Sequence, residues 1–296
     1  MRPESGQASL EWVGLVLLAS LAFGGLVLLV PRTDGRSVGG FLAHRILCAV
    51  RGRCDDGDAA LARVYGPHDA ALAREWAPGL VYEPGEPSLP VDYRSCRRHA
   101  CADAPDDPDL DAHYSRSGRQ ATVFTQRWRS QGRLYLAYWL YYPDSNTTVL
   151  HSDWVWNHSP LRLVHGYPGF HLDDWEVAVV RIDPDGSVWA RASSHGHWQA
   201  CKWAQCRNRW VRWSGWSRVS RGSHAGHIPG RLTRSARLRF RPSLPGVDLH
   251  ERTSTAEGLR LVPLESLNWG AYRRLGEDVD PPWEKETWAD LEHGRP

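Results

Sequence analysis

The stretch Gly169-Phe170-His171-Leu172-Asp173-Asp174-Trp175-Glu176 holds the densest set of chemically able side chains in the sequence. Asp174 and Glu176 are two residues apart, so in a strand both carboxylates leave the same face, with Cα atoms about 7 Å apart. Trp175, Val177 and Val179 then leave the other face and enter a core. Two carboxylates held that close repel one another unless a positive charge lies between them. A divalent cation is the simplest such charge, and His171 on the preceding loop is a further donor. Two other segments offer ligands: Ser193-Ser194-His195-Gly196-His197 at the end of one strand, and Asp144 at the end of another. Carboxylate oxygens suit Ca2+ or Mg2+, imidazole draws towards Mn2+ or Zn2+, and a mixed set does not choose between them.

The elements that must position these residues are strands. Leu134, Leu136, Tyr138, Leu140 and Tyr142 alternate with Tyr135, Ala137, Trp139 and Tyr141, so both faces of this strand are apolar and both must be covered. It ends at Pro143-Asp144-Ser145-Asn146, a turn signal. Further strands are expected at 120–128, 174–182, 187–193, 208–213, 236–240 and 259–263. Residues 102–112 are acidic and Pro-rich and read as a surface loop. Residues 57–75 favour two short helices broken at Gly66-Pro67. The pattern predicts an all-β fold, a jelly-roll-like β-sandwich with long loops, preceded by those short helices.

At these motifs the sequence resembles the necrosis-and-ethylene-inducing-like proteins and the related vacuolar-protein-sorting-62-like family. The matching segments are Tyr138–Asp144 (YWLYYPD), Gly169–Glu176 (GFHLDDWE) and Ser193–His195, with Ala77–Pro90, Gly222–Ala225 and Pro281–Trp283 added by the second family. The resemblance spans roughly residues 70–290. It implies a β-sandwich whose bound divalent cation helps it engage sphingolipid head groups and damage membranes. The implied ligands are Asp144, His171, Asp174, Glu176 and His195, with Asp153 as a substitute for Asp144. Asp173 and Leu172 stand where the family has His and Arg, which puts toxicity in doubt more than the cation.

The N-terminal segment sets the compartment. Trp12 to Val30 contains no charged residue, and nineteen residues at 1.5 Å each reach roughly 28 Å, enough to cross a bilayer core. Before it, Gly6-Gln7-Ala8-Ser9-Leu10-Glu11 resembles the leader of type IV pilins and Flp/TadE-like proteins, which a prepilin-type peptidase cuts after the Gly. The implied cut lies between Gly6 and Gln7, with Glu11 as the acidic position. The expected organisation is leader (1–6), transmembrane anchor (7–31), stalk with short helices (32–69) and β-sandwich (70–296). The sandwich then lies on the extracytoplasmic side of a bacterial cell membrane. The six Cys fall in close pairs, Cys48/Cys54, Cys96/Cys101 and Cys201/Cys206, which suits disulfides in an oxidising compartment.

Charge nearly balances, with 36 basic and 34 acidic residues, which argues against a globally basic nucleic-acid binder. The bias is local: ten Arg and no acid lie between Arg207 and Arg241. Trp198, Trp203, Trp210, Trp213 and Trp216 lie in or just before this stretch. Arg gives bidentate bonds to anionic groups and Trp gives a flat stacking face, so Asp173, His197, Trp198, Arg207, Arg209 and Trp213 are candidate ligand-binding residues. The competing reading pairs these Arg with the eleven acids of residues 248–296. His224 and His227 are either extra ligands or hydrogen-bonded within their loop. No GxSxG, HExxH, P-loop or dinucleotide fingerprint occurs. The expected function is recognition of an anionic lipid head group or cell-surface glycan. A metal-dependent envelope hydrolase and a minor subunit of a pilus-like assembly are the alternatives.

Overall fold

A computed structural model describes residues 57–86, 88–94, 113–115, 118–147, 170–201, 206–229, 251–274 and 279–296. The leader with Gly6, Gln7 and Glu11, the apolar run, Cys48, Cys54, Cys96, Cys101, Asp153 and the strand expected at 236–240 lie outside these residues. Among the described residues no helix is long and apolar enough to cross a membrane.

Helix α1 (Gly57–Glu75) is two helical segments meeting at Gly66, where φ is 78° and Pro67 follows. The expected break is therefore present: Pro67 cannot donate to the turn before it, and glycine accepts the left-handed angle. The helix packs onto the large sheet beside β11. Tyr138 Oη donates to the Ala73 carbonyl (2.9 Å), and Asp69 takes Arg129 at 2.6 Å as well as Arg127.

The strands are β1 (Gly79–Tyr82), β2 (Thr122–Ser130), β3 (Arg133–Asn146), β4 (Phe170–Ile182), β5 (Val188–Ser194), β6 (His197–Gln199), β7 (Val211–Arg212), β8 (Trp216–Val219), β9 (Gly226–His227), β10 (Arg252–Ser254) and β11 (Arg260–Pro263). They form a four-stranded sheet, β10-β1-β8-β9, and a seven-stranded sheet, β11-β2-β3-β4-β5-β6 with β7 on β5. The all-β expectation holds, but the large sheet is a meander rather than a jelly roll. Tight hairpin turns at Gln131-Gly132 (φ 49° and 75°) and His195-Gly196 (φ 49° and 72°) return β2 onto β3 and β5 onto β6. The isolated strand expected at 208–213 is reduced to β7, and the short β1, β6, β8, β9 and β10 carry too few residues to show a period.

Both faces of β3 are covered, as its composition requires. Leu134, Leu136, Tyr138, Leu140 and Tyr142 join a core with α1, Leu80, Tyr82 and Val219. Tyr135, Ala137, Trp139 and Tyr141 join a second core with Trp175, Val177, Val179, Tyr93 and Leu291. A short helix, α2 (Glu286–Ala289), lies within the C-terminal segment.

Candidate functional site

The register of β3 and β4 places Tyr142 opposite Asp174 and Asp144 opposite Leu172. Period two then puts Asp144, Asp174 and Glu176 on one face, with Ala178 and Val180. The shared face expected of the two acids is present, but it is the inner face, turned to the smaller sheet. Asp144, Asp174 and Glu176 are 2%, 5% and 8% exposed.

Their positive partner comes from the loop between β8 and β9. His224 is 2% exposed; its Nδ1 lies 2.7 Å from Asp174 Oδ2 and its Nε2 3.3 Å from Glu86 Oε1. The ring stacks on Tyr142 with centroids 3.7 Å apart and planes 7° apart. Burial works against the His224 cation, but Glu86 and Asp174 overcome it and hold its pKa well above the usual imidazole value. Both nitrogens then donate. Glu86, just past β1, also accepts from the Ser88 amide (2.8 Å) and the Gly222 amide (2.7 Å). His224 thus ties the small sheet to β4.

Glu176 is held differently. Ser193 Oγ on β5 donates to its carboxylate while accepting from the Val177 amide at 2.6 Å. Burial, and next the charge of Asp174, push the Glu176 pKa up to about 8, against the opposing effect of the Ser193 bond.

The two expected imidazole ligands lie at the rim of this cluster and on a neighbouring turn. The side chain of His171 is 35% exposed and its Nε2 is 4.0 Å from Asp174 Oδ1. His195 occupies a left-handed position of the β5–β6 turn and is exposed. Among the described residues no three His, Cys, Asp or Glu side chains gather where one ion would sit. The donors have the right chemistry for an oxygen-seeking cation, but in this structure Asp174 and Glu176 are engaged by His224 and Ser193.

Of the expected ligand-binding residues, Asp173 is a correction. It is fully buried on the opposite face and accepts from Tyr141 Oη at 2.8 Å. Its φ of 58° falls opposite Pro143, which has no amide to offer the ladder. Trp198 is 4% exposed and Trp213 is half-buried against the first core, while Arg207 and Arg209 are exposed and His197 is half-buried. Cys201 and Cys206 form the expected local disulfide. Within the basic stretch, Arg218 pairs with Glu251 at 2.6 Å, as the internal-pairing reading expects.

Sequence reasoning missed Glu86 and left His224 with two readings. Glu86 lies inside the Ala77–Pro90 segment that carries the family resemblance, which was the available signal.

No model of a known protein family matches the chain, and no curated protein matches it. Among solved structures it is similar to "NLPPya in complex with glucosamine", with 14% identity, 75% of this chain and 86% of that one covered, and a TM-score of 0.38. A second is "Toxin fold for microbial attack and plant defense", at 14% identity, 75% and 88% coverage and TM-score 0.35. A third is the necrosis and ethylene inducing protein 2 from the causal agent of cocoa's witches' broom disease, at 19% identity, 67% and 74% coverage and TM-score 0.35.

Proposed function

We propose that the chain is a membrane-anchored, extracytoplasmic β-sandwich that binds a divalent cation at the β3–β4 end and recognises an anionic lipid head group or cell-surface glycan there. The gathering of buried carboxyl groups supports this reading. Asp144, Asp174 and Glu176 share one face of the large sheet, Glu86 approaches from the small-sheet side, and His224 bridges Asp174 and Glu86. Register places Asp144 diagonal to Asp174, a separation of roughly 7–8 Å. Asp144, Asp174 and Glu176 would hold the ion, with His171 from the rim and His195 from the turn as imidazole donors. Ca2+, Mg2+ and Mn2+ all accept such a set. When bound, the ion would offer open coordination positions to ligand oxygens. The apolar run 12–30 supports the anchor.

The test is calorimetric titration of the detergent-solubilised full chain with CaCl2 and MnCl2, wild type against Asp174→Asn. Saturable binding weakened at least tenfold by the substitution is the expected result. No saturable binding, or equal titration of both proteins, overturns the cation and the recognition built on it.

A further inference from the structure

The face of the large sheet remote from His224 carries a cleft of about 540 Å3, lined in part by His197, Trp198 and Arg207 of the expected ligand-binding set. Sites for small molecules run roughly 300–1,000 Å3. At its base is Arg191, 4% exposed, with its guanidinium 4.1 Å from the ring centroids of both Trp198 and Trp210. Its Nη2 donates to the carbonyls of Leu291 (2.8 Å) and Glu292 (2.7 Å), while its Nε–H has no acceptor among the described residues. A cation fixed between two indoles cannot turn away, so its field on the cleft is permanent.

The walls are equally constrained. On one side the Cys201–Cys206 bond closes the loop that delivers Arg207 and Asn208. Asn208 clasps Trp198, its amide donating to the Trp198 carbonyl (2.8 Å) and its Oδ1 accepting from the Trp198 amide (3.2 Å). On the other side Trp198 Nε1 donates to the Gly294 carbonyl at 2.9 Å, and the Thr287 amide to the Arg295 carbonyl at 3.2 Å. Arg207 and Arg295 line the cleft, are exposed, and make no ion pair among the described residues. The acid on the lining, Glu292, is paired with Arg181 at 3.3 Å. The cleft is therefore a concave site lined by Arg191, Arg207, Arg295 and the paired Glu292, with amide and imidazole groups able to meet hydroxyls.

Concavity decides between ligand classes. A bilayer surface is met by protruding apolar side chains, and here the indole of Trp198 is sunk. A sugar ring bearing an anionic group fits the concave lining and presents its charge to the guanidiniums of Arg207 and Arg295. We propose that this cleft binds the anionic sugar unit of a glycan, a hexose carrying a carboxylate or a phosphate, through Arg207 and Arg295 and without the cation.

The test is calorimetry on the full chain in detergent with EDTA present, using glucuronic acid, glucose 6-phosphate, glucose and inorganic phosphate. Both acidic sugars should bind, and glucose and inorganic phosphate at least tenfold more weakly. The double variant Arg207→Gln/Arg295→Gln should weaken the acidic sugars by about tenfold or more, the loss expected for charged hydrogen bonds. Asp174→Asn should leave them unchanged. Equal affinity for glucose, equal affinity for inorganic phosphate, or no effect of the double variant overturns the proposal. Acidic-sugar binding that vanishes on adding EDTA also overturns it, by moving the ligand to the cation site. Binding that persists in EDTA in a protein that takes up no metal upholds this cleft while the cation reading falls. Flotation with phosphatidylglycerol vesicles should not respond to the double variant; a loss of flotation identifies a lipid surface instead and overturns the sugar.

Discussion

His224→Ala removes the imidazole that joins Asp174 of the large sheet to Glu86 of the small-sheet side. It leaves Asp174 and Glu86 buried without the cation that both hydrogen-bond, at 2.7 and 3.3 Å. Breaking a buried pair by deleting one partner costs about 3–5 kcal/mol, because the remaining charge is uncompensated. The stack on Tyr142, 3.7 Å between centroids, adds about 0.5–1.5 kcal/mol. The expected loss is thus about 3.5–6.5 kcal/mol, much of a domain stability of roughly 5–15 kcal/mol. His224→Gln keeps a donor but not the charge, and should lose about 1–3 kcal/mol. Urea denaturation of the full chain with EDTA present, followed by far-ultraviolet circular dichroism and tryptophan fluorescence, measures both. Asp174→Asn added to His224→Ala should cost less than it does alone, since both changes act on one contact. A loss below about 1 kcal/mol for His224→Ala, or strict additivity with Asp174→Asn, would refute the inter-sheet clamp.

Two further outcomes follow from the same geometry. Glu176 is raised from its ordinary 4.5 to about 8, so the folded state binds this proton more tightly than the unfolded chain. Its contribution is therefore fully present below about pH 4.5 and is lost as pH rises through about 8, an upper bound of about 5 kcal/mol. Denaturation midpoints at pH 5 and pH 8 should show the decline, and Glu176→Gln should flatten it; an unchanged slope in the variant sinks the assignment. Gly226 lets β9 cross β5, since a Cβ there would lie 2.7 Å from Ala192 Cβ. Gly226→Ala should cost roughly 1–3 kcal/mol by overpacking, and a thermal midpoint equal to wild type would contradict the close crossing.

Several features were legible in the sequence because they depend on neighbours a few residues away. Alternating apolar residues from Leu134 to Tyr142 announced a strand covered on both faces, and both cores are there. Gly66-Pro67 announced the break in α1, and the short Cys201–Cys206 spacing announced its bridge. The common face of Asp174 and Glu176 followed from the two-residue period alone.

What lies above that face did not follow. Period two says which side chains share a side, but not whether water, an ion or another sheet meets them. His224 is 50 residues from Asp174 and 138 from Glu86 in the chain, and only the packing of the small sheet on β4 and β5 brings the three together. The same holds for Arg191, whose buried contacts with Leu291 and Glu292 bridge 100 and 101 residues. Local spacing determined the strands and the faces their acids occupy. Tertiary packing decided the partners, because a buried charge takes its counter-charge from whatever the fold stacks upon it.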